Sequence, residues 1–341
     1  LTDCHIVVGL PRPFGAGLTP ETSSQFNMKK NWMMYLRGCV LGLMVLAAMR
    51  PSAAQDCPPV PHVSSEDMQR LARSGQPDRG PLWELSKNGR RSYLYGTIHV
   101  ARLEWDFPGP LVTKALMASK VLAVELDIGK PETGQRMLAP MPTQAADATS
   151  PRYQAMEQEA STQFKKACID ERALAGSGLA IRLAALSVLS ARHAGLYPDF
   201  SIDSSIIGFS RYFKKKIHEL ETTEEQRAAL GGSTLEELQE DLDDIKSGRV
   251  SQITQRLAAL WSEGSLGDIE RFCTEEHCTA NQRLFGPRNT VLAQRIARLM
   301  ESQGDVFCAI GFLHMIGPDS VLAQLKAMGF EVRQLTALPR T

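Results

Sequence analysis

Ser92-Tyr93-Leu94-Tyr95-Gly96-Thr97-Ile98-His99 is a short apolar and aromatic run that stops at a glycine, with a histidine three residues later. Runs of this kind read as a buried strand followed by a tight turn. The glycine permits backbone angles that a side chain would forbid. The histidine then stands at the carboxyl end of the strand, where open α/β sheets place their ligand sites. Asp305 to His314 repeats the device: Val306-Phe307-Cys308-Ala309-Ile310, then Gly311-Phe312-Leu313-His314.

The echo continues downstream. His99 is followed by Pro108 and Pro110, a helical stretch Leu111 to Ser119 and a strand Val121 to Leu126. His314 is followed by Pro318, a helical stretch Ser320 to Met328 and a strand Phe330 to Leu335. The expected fold is therefore α/β, with a central mixed, largely parallel sheet. Two strand–Gly-x-x-His–helix–strand units build it, and a large helical insertion at about 151–302 separates them. If the strands before His99 and through Glu125 are parallel neighbours, both residues share one sheet edge.

The 341 residues carry 38 basic and 38 acidic side chains. That balance argues against a nucleic-acid partner and against electrostatic attachment to lipid. Met28-Lys29-Lys30 opens a basic segment, Gly38 to Met49 is apolar, and Ser52-Ala53-Ala54 supplies small residues. This is a signal-peptide layout at 28–54, with cleavage expected after Ala54. The apolar run falls short of the roughly 20 residues of a membrane span, so no stable span is expected after cleavage. Residues 1–27 lie upstream of the expected start and read as non-native or mis-set. Residues 55–81 read as a linker, and 82–341 as one domain in the periplasm or outside the cell.

In such a compartment disulfides persist. Cys273 and Cys278 are close in sequence and are expected to pair, and Cys308 reads as buried packing. Gly129 to Tyr153 carries four prolines and little apolar periodicity, and reads as a surface loop or flap. Leu82 to Ser86, Asn88-Gly89 and Ser92 to Tyr95 read as a hairpin. Thr222 to Glu225 forms a capping box after a short strand at Ile217 to Glu221. Glu221 thus stands between a strand end and a helix start, where it equally suits a site or the positive helix end.

Gly96-Thr97-Ile98-His99, Val124-Glu125-Leu126-Asp127, Leu220-Glu221-Thr222 ahead of Glu224-Glu225-Gln226, Arg288-Asn289, and Gly311-Phe312-Leu313-His314 with Gly317-Pro318-Asp319 resemble the TraB/GumN family. The similarity runs from about Leu82 to Leu335. That family looks related to the Tiki metal-dependent peptidases, and more distantly to erythromycin esterases and a haem-binding lipoprotein group. The resemblance implies a functional set of His99, Glu125 and His314, with Glu221, Arg288 and Asn289 nearby. It also implies a divalent transition metal such as manganese, cobalt or zinc, and a peptide or protein substrate. One departure stands out. The second crossover ends in Gln334 where the first ends in Glu125, so the repeat supplies no second carboxylate.

Two imidazoles and a carboxylate suit such a metal. The preferred division makes His99, Glu125 and His314 ligands and Glu221 the base, with Arg288 or Asn289 stabilising an oxyanion. The two glutamates can also exchange roles. No His-Glu-x-x-His or Gly-x-Ser-x-Gly motif is present, which argues against a common zincin and the usual serine hydrolase. Two rival readings remain. One is hydrolysis by histidine and glutamate without a metal. The other is a non-catalytic binding protein for a peptide or haem.

Overall fold

The computed structural model describes residues 57–335, apart from 59–60, 62, 140–148, 175 and 232. The signal-peptide reading at 28–54, its cleavage after Ala54 and the reading of 1–27 lie outside the described residues. The strands are β1 (Leu82–Lys87), β2 (Arg90–Thr97), β3 (Val121–Val124), β4 (Lys216–Glu219), β5 (Val306–Gly311) and β6 (Glu331–Gln334). The first six helices are α1 (Ser65–Arg73), α2 (Pro110–Ala118), α3 (Pro131–Leu138), α4 (Pro151–Lys166), α5 (Leu179–Ser190) and α6 (Ile202–Tyr212). After them come α7 (Thr223–Gly231), α8 (Leu235–Ser247), α9 (Arg249–Glu263), α10 (Leu266–Glu275), α11 (Gly286–Gln303) and α12 (Val321–Ala327).

The sheet order is β4-β3-β5-β2-β1-β6. β2, β5, β3 and β4 run parallel to one another, while β1 is antiparallel to both β2 and β6. The hairpin forms because Asn88 (φ 52°) and Gly89 (φ 75°) both adopt the left-handed angles of a tight two-residue turn. β2 and β3 are not neighbours, in contrast to the pairing considered above. β5 lies between them, with Cys308 opposite both Leu94 and Ala123. A parallel sheet covered by helices needs continuous apolar strands, and β5 meets that need with five consecutive buried residues. α6 packs on β3 and β5, and α11 on β5 and β2. α11 presents Leu292, Ala293, Ile296, Ala297 and Met300, a helical stripe, to the core.

The helical insertion has its own small core. Tyr153, Met156 and Ala160 of α4 meet Leu179 and Leu183 of α5, and Leu238 and Leu242 of α8. β4 lies inside this insertion in sequence yet joins the sheet edge. Among the described residues, no helix is long and apolar enough to cross a membrane.

Two expectations need correction. The loop expected at 129–153 contains helix α3, and α4 begins at Pro151. Pro131 and Pro151 act as helix starters, because a missing N–H costs nothing in the first turn. The expected Cys273–Cys278 disulfide is replaced by Cys57–Cys168, with Cα atoms 5.6 Å apart, while Cys273 and Cys278 are free thiols. Cys273 lies within α10 and Cys278 past its end, joined by a backbone hydrogen bond of 3.1 Å. Closeness along the chain did not set the pairing, since the bonded partners are 111 residues apart. Closing so long a loop restricts the unfolded chain strongly. Cys168→Ser is expected to lower stability by about 2–4 kcal/mol. Urea unfolding with and without reductant measures it, and reductant should leave the variant's midpoint unchanged.

Candidate functional site

Neither Gly96 nor Gly311 has a positive φ, so their value is space rather than backbone freedom. A Cβ on Gly96 would lie 2.8 Å from Phe312 Cβ. The Gly96 carbonyl also accepts the indole N–H of buried Trp261 at 2.8 Å. A Cβ on Gly311 would lie 3.3 Å from Glu125 Oε1. The second glycine therefore lets the β5 end meet the glutamate that follows β3. The Gly311 N–H donates to Glu125 Oε1 at 2.7 Å.

The β3–β4 ladder continues past both strands. Leu220 N–H donates to the Val124 carbonyl (2.7 Å) and Glu221 N–H to the Glu125 carbonyl (2.9 Å). This brings the two glutamates together at the carboxyl edge. Arg288, in the first turn of α11, joins them. Its Nε and Nη2 each donate to a different Glu221 oxygen at 2.6 Å, and Nη2 reaches Glu125 Oε2 at 3.0 Å. Gln226 Nε2 donates to one oxygen of each glutamate at 3.1 Å. Glu221 is buried, and both its oxygens are engaged.

His314 is buried in the short 3₁₀ turn Phe312–Met315. Its Nδ1 faces Asn289 Oδ1 at 2.6 Å, while Asn289 Nδ2 donates to the Asp319 carbonyl at 3.0 Å. Asn289 therefore offers an acceptor to the ring, which assigns the imidazole proton to Nδ1. Asn289 is buried with both ends of its amide engaged. His314 Nε2 faces Glu125 Oε1 at 3.8 Å, so a lone pair faces a carboxylate oxygen.

His99 stands two residues past β2. Its Nδ1 meets Asp203 Oδ2 at 3.0 Å, and Thr97 Oγ1 donates to Asp203 Oδ1 at 2.6 Å. Asp203 sits in the first turn of α6, near its positive end. Thr97 and Gln226 lie inside the quoted motifs, but the sequence assigns neither a role, and Asp203 lies outside them. Asp203 is 104 residues from His99, and no local pattern marks contacts across such a gap.

The titrating groups diverge. The Asp203 carboxylate raises His99 to about 9. Burial lowers His314 despite the nearby Glu125 charge. For Glu125, burial acts upward, but the charges of His314, Arg288 and His99 and the Gly311 N–H outweigh it, so its carboxyl is held low. In metal-free protein, Asp203→Asn is expected to return the His99 titration towards the ordinary value of 6.5. Imidazole NMR against pH reads this directly, and an unmoved midpoint refutes the pairing.

Two imidazoles and a carboxylate are donor types that divalent transition metals take. Each imidazole has Nδ1 held by an oxygen, the support that metal-binding histidines commonly receive, which leaves Nε2 available. Facing acceptors such as His314 Nε2 and Glu125 Oε1 also call for a cation or a water proton between them. Among the described residues, no group of three or more His, Cys, Asp or Glu side chains is placed so that it could hold a metal ion. His314 and Glu125 lie together, whereas His99 is 64% exposed at the rim.

An α/β sheet with paired Gly-x-x-His turns and buried glutamates at its carboxyl edge thus defines the chain's class. The chain belongs to the TraB/PrgY/gumN family, whose model matches residues 81–334. That range runs from the residue before β1 to the last residue of β6. No curated protein and no solved structure matches the chain.

Proposed function

We propose that this protein is an exported, metal-dependent hydrolase that acts on peptide or protein substrates at the Glu125–His314 centre. The observation carrying this reading is the acceptor pair His314 Nε2 and Glu125 Oε1 at 3.8 Å, with His314 Nδ1 pinned from behind by Asn289. His99, Glu125 and His314 would hold manganese, cobalt or zinc. Such an ion supplies a Lewis acid that lowers the pKa of water towards neutrality. Arg288 brings positive charge beside the reacting centre, where a developing oxyanion gains from it. Glu221 as base would have to release Arg288, so we assign it to orient that arginine. Asn289 orients His314 and leaves oxyanion stabilisation to Arg288. The Cys57–Cys168 bond supports export to an oxidising, periplasmic or extracellular compartment.

One observation favours a second reading, hydrolysis without a metal. His99 is shifted up and His314 down, the pattern of an acid and a base made from like residues. In that case His314 Nε2 takes the water proton and His99 supplies one to the leaving group. Elemental analysis of exported protein, paired with turnover of a peptide library, separates the readings. About one ion per chain and activity lost on chelation support the metal reading. Turnover by metal-free protein favours the second. No turnover by either form sinks both and moves the binding-protein reading ahead.

A further inference from the structure

The outer edge of β4 has features that the hydrolytic centre does not use. β4 ends the sheet on its side, and among the described residues no strand pairs with its free edge. Because Leu220 N–H donates to Val124, strand alternation turns the N–H and C=O groups of Ile217 and Glu219 outward. An edge of this kind is a template for another chain unless it is covered. Beside it, between β4 and α11, lies a cavity of about 460 Å³. Lys216, His218, Leu220, Arg295 and Arg298 contribute to its wall, and it extends to Glu221 and Thr222.

The charges of this groove are unevenly matched. Glu219 is paired with Lys130, Glu221 with Arg288, and Arg295 with Glu225, each at 2.6 Å. Among the described residues, Lys216 and Arg298 form no ion pair, and Arg298 Nε donates only to the Gln294 carbonyl at 3.3 Å. The lining therefore keeps two unmatched cations beside a row of outward backbone groups.

We propose that an extended acidic polypeptide segment docks on β4 as an added strand. Its backbone pairs with Ile217 and Glu219, and its carboxylates meet Lys216 and Arg298. Strand addition of this kind draws affinity from main-chain bonds and selectivity from alternate side chains. An added strand lies about 10 Å from β3, two strand spacings away. The groove extends to Glu221, so an end of the added strand lies at the carboxyl edge of the sheet, about 10 Å from the β3 end that carries Glu125. The inference deepens the hydrolase reading by naming its substrate as an acidic, extended peptide.

Fluorescence anisotropy on the full chain tests the docking, using wild-type protein and His314→Ala. The probe is a fluorescein-labelled decapeptide of alternating Thr and Glu. Two controls carry Lys in place of Glu, or N-methyl groups on alternate backbone nitrogens. The acidic peptide is expected to bind about tenfold or more tightly than either control. Lys216→Glu with Arg298→Glu, both on the groove wall and outside the centre, should weaken it by a similar factor. Absence of binding, equal binding of all three peptides, or undiminished binding by the charge-reversed protein overturns the proposal. Turnover is followed separately. Docking without turnover of any peptide supports this inference and counts against the hydrolase reading. Turnover of short peptides without edge docking does the reverse.

Discussion

His314→Ala is expected to lower hydrolysis by about 10²–10⁴-fold, the range for losing a positioned group that activates water. The His314 Nε2 atom faces Glu125 Oε1 at 3.8 Å, and the other nitrogens beside Glu125, on Arg288, Gln226 and Gly311, are hydrogen-bond donors that cannot take a proton from water. Under the metal reading the same change also removes bound ion, so metal content and turnover fall together. Under the metal-free reading turnover falls alone. Asn289→Ala is a sharper companion. It keeps the imidazole but removes the acceptor that assigns the proton to Nδ1. A smaller loss is expected, with a changed pH profile, because the ring can then expose either tautomer. Circular dichroism must show both variants folded. An unchanged rate in His314→Ala would place the reaction elsewhere.

Arg288→Met is expected to destabilise the protein by about 3–5 kcal/mol, the cost of leaving buried charge without its partner. The Glu221 and Glu125 side chains are only 3% and 11% exposed, so water cannot replace the guanidinium well. The pH dependence has a definite sign. Glu125 is held below its ordinary 4.5 in the folded protein, as described above. Its pairing therefore stabilises the fold above that value, and the stabilisation is lost as pH falls through the lowered folded value. In Arg288→Met part of that support is removed, while His314, His99 and the Gly311 N–H remain, so the gap to wild type should widen as pH rises through about 4–5. Glu221→Gln in the Arg288→Met background should recover part of the loss, since it removes one of the unpaired charges. Denaturant unfolding of the four proteins gives the coupling directly. A gap that is flat with pH would mean that Arg288 acts through packing alone.

The sheet was largely legible because its signals are local. Val306 to Ile310 is apolar at every position, which only a strand buried on both faces requires. Asn88-Gly89 specifies a turn by the backbone angles that these residues tolerate. The capping pair Thr222 and Glu225 marks the start of α7 through two reciprocal bonds, at 2.8 and 3.1 Å. Local signals also misled where one residue type has two uses. Proline can start a helix as well as break one, so Pro131 and Pro151 suggest a loop where helices begin. Cysteine spacing suggested a short bridge where a long one formed.

By itself, the sequence determined the sheet's strands, its dominant direction and the duplicated turns that carry His99 and His314, though not helix α3 or the start of α4. Each depends on contacts within a few residues, which composition and spacing record. Only the tertiary structure decided that β5 separates β2 from β3. It also decided that both turn glycines make room rather than bend the chain. The partners of the site residues were likewise settled by folding. Asp203 reaches His99, and Arg288 binds Glu221 across 67 residues of chain. Such pairings arise from how strands order and helices pack, so the sequence names the candidate groups while the fold determines which of their atoms remain free.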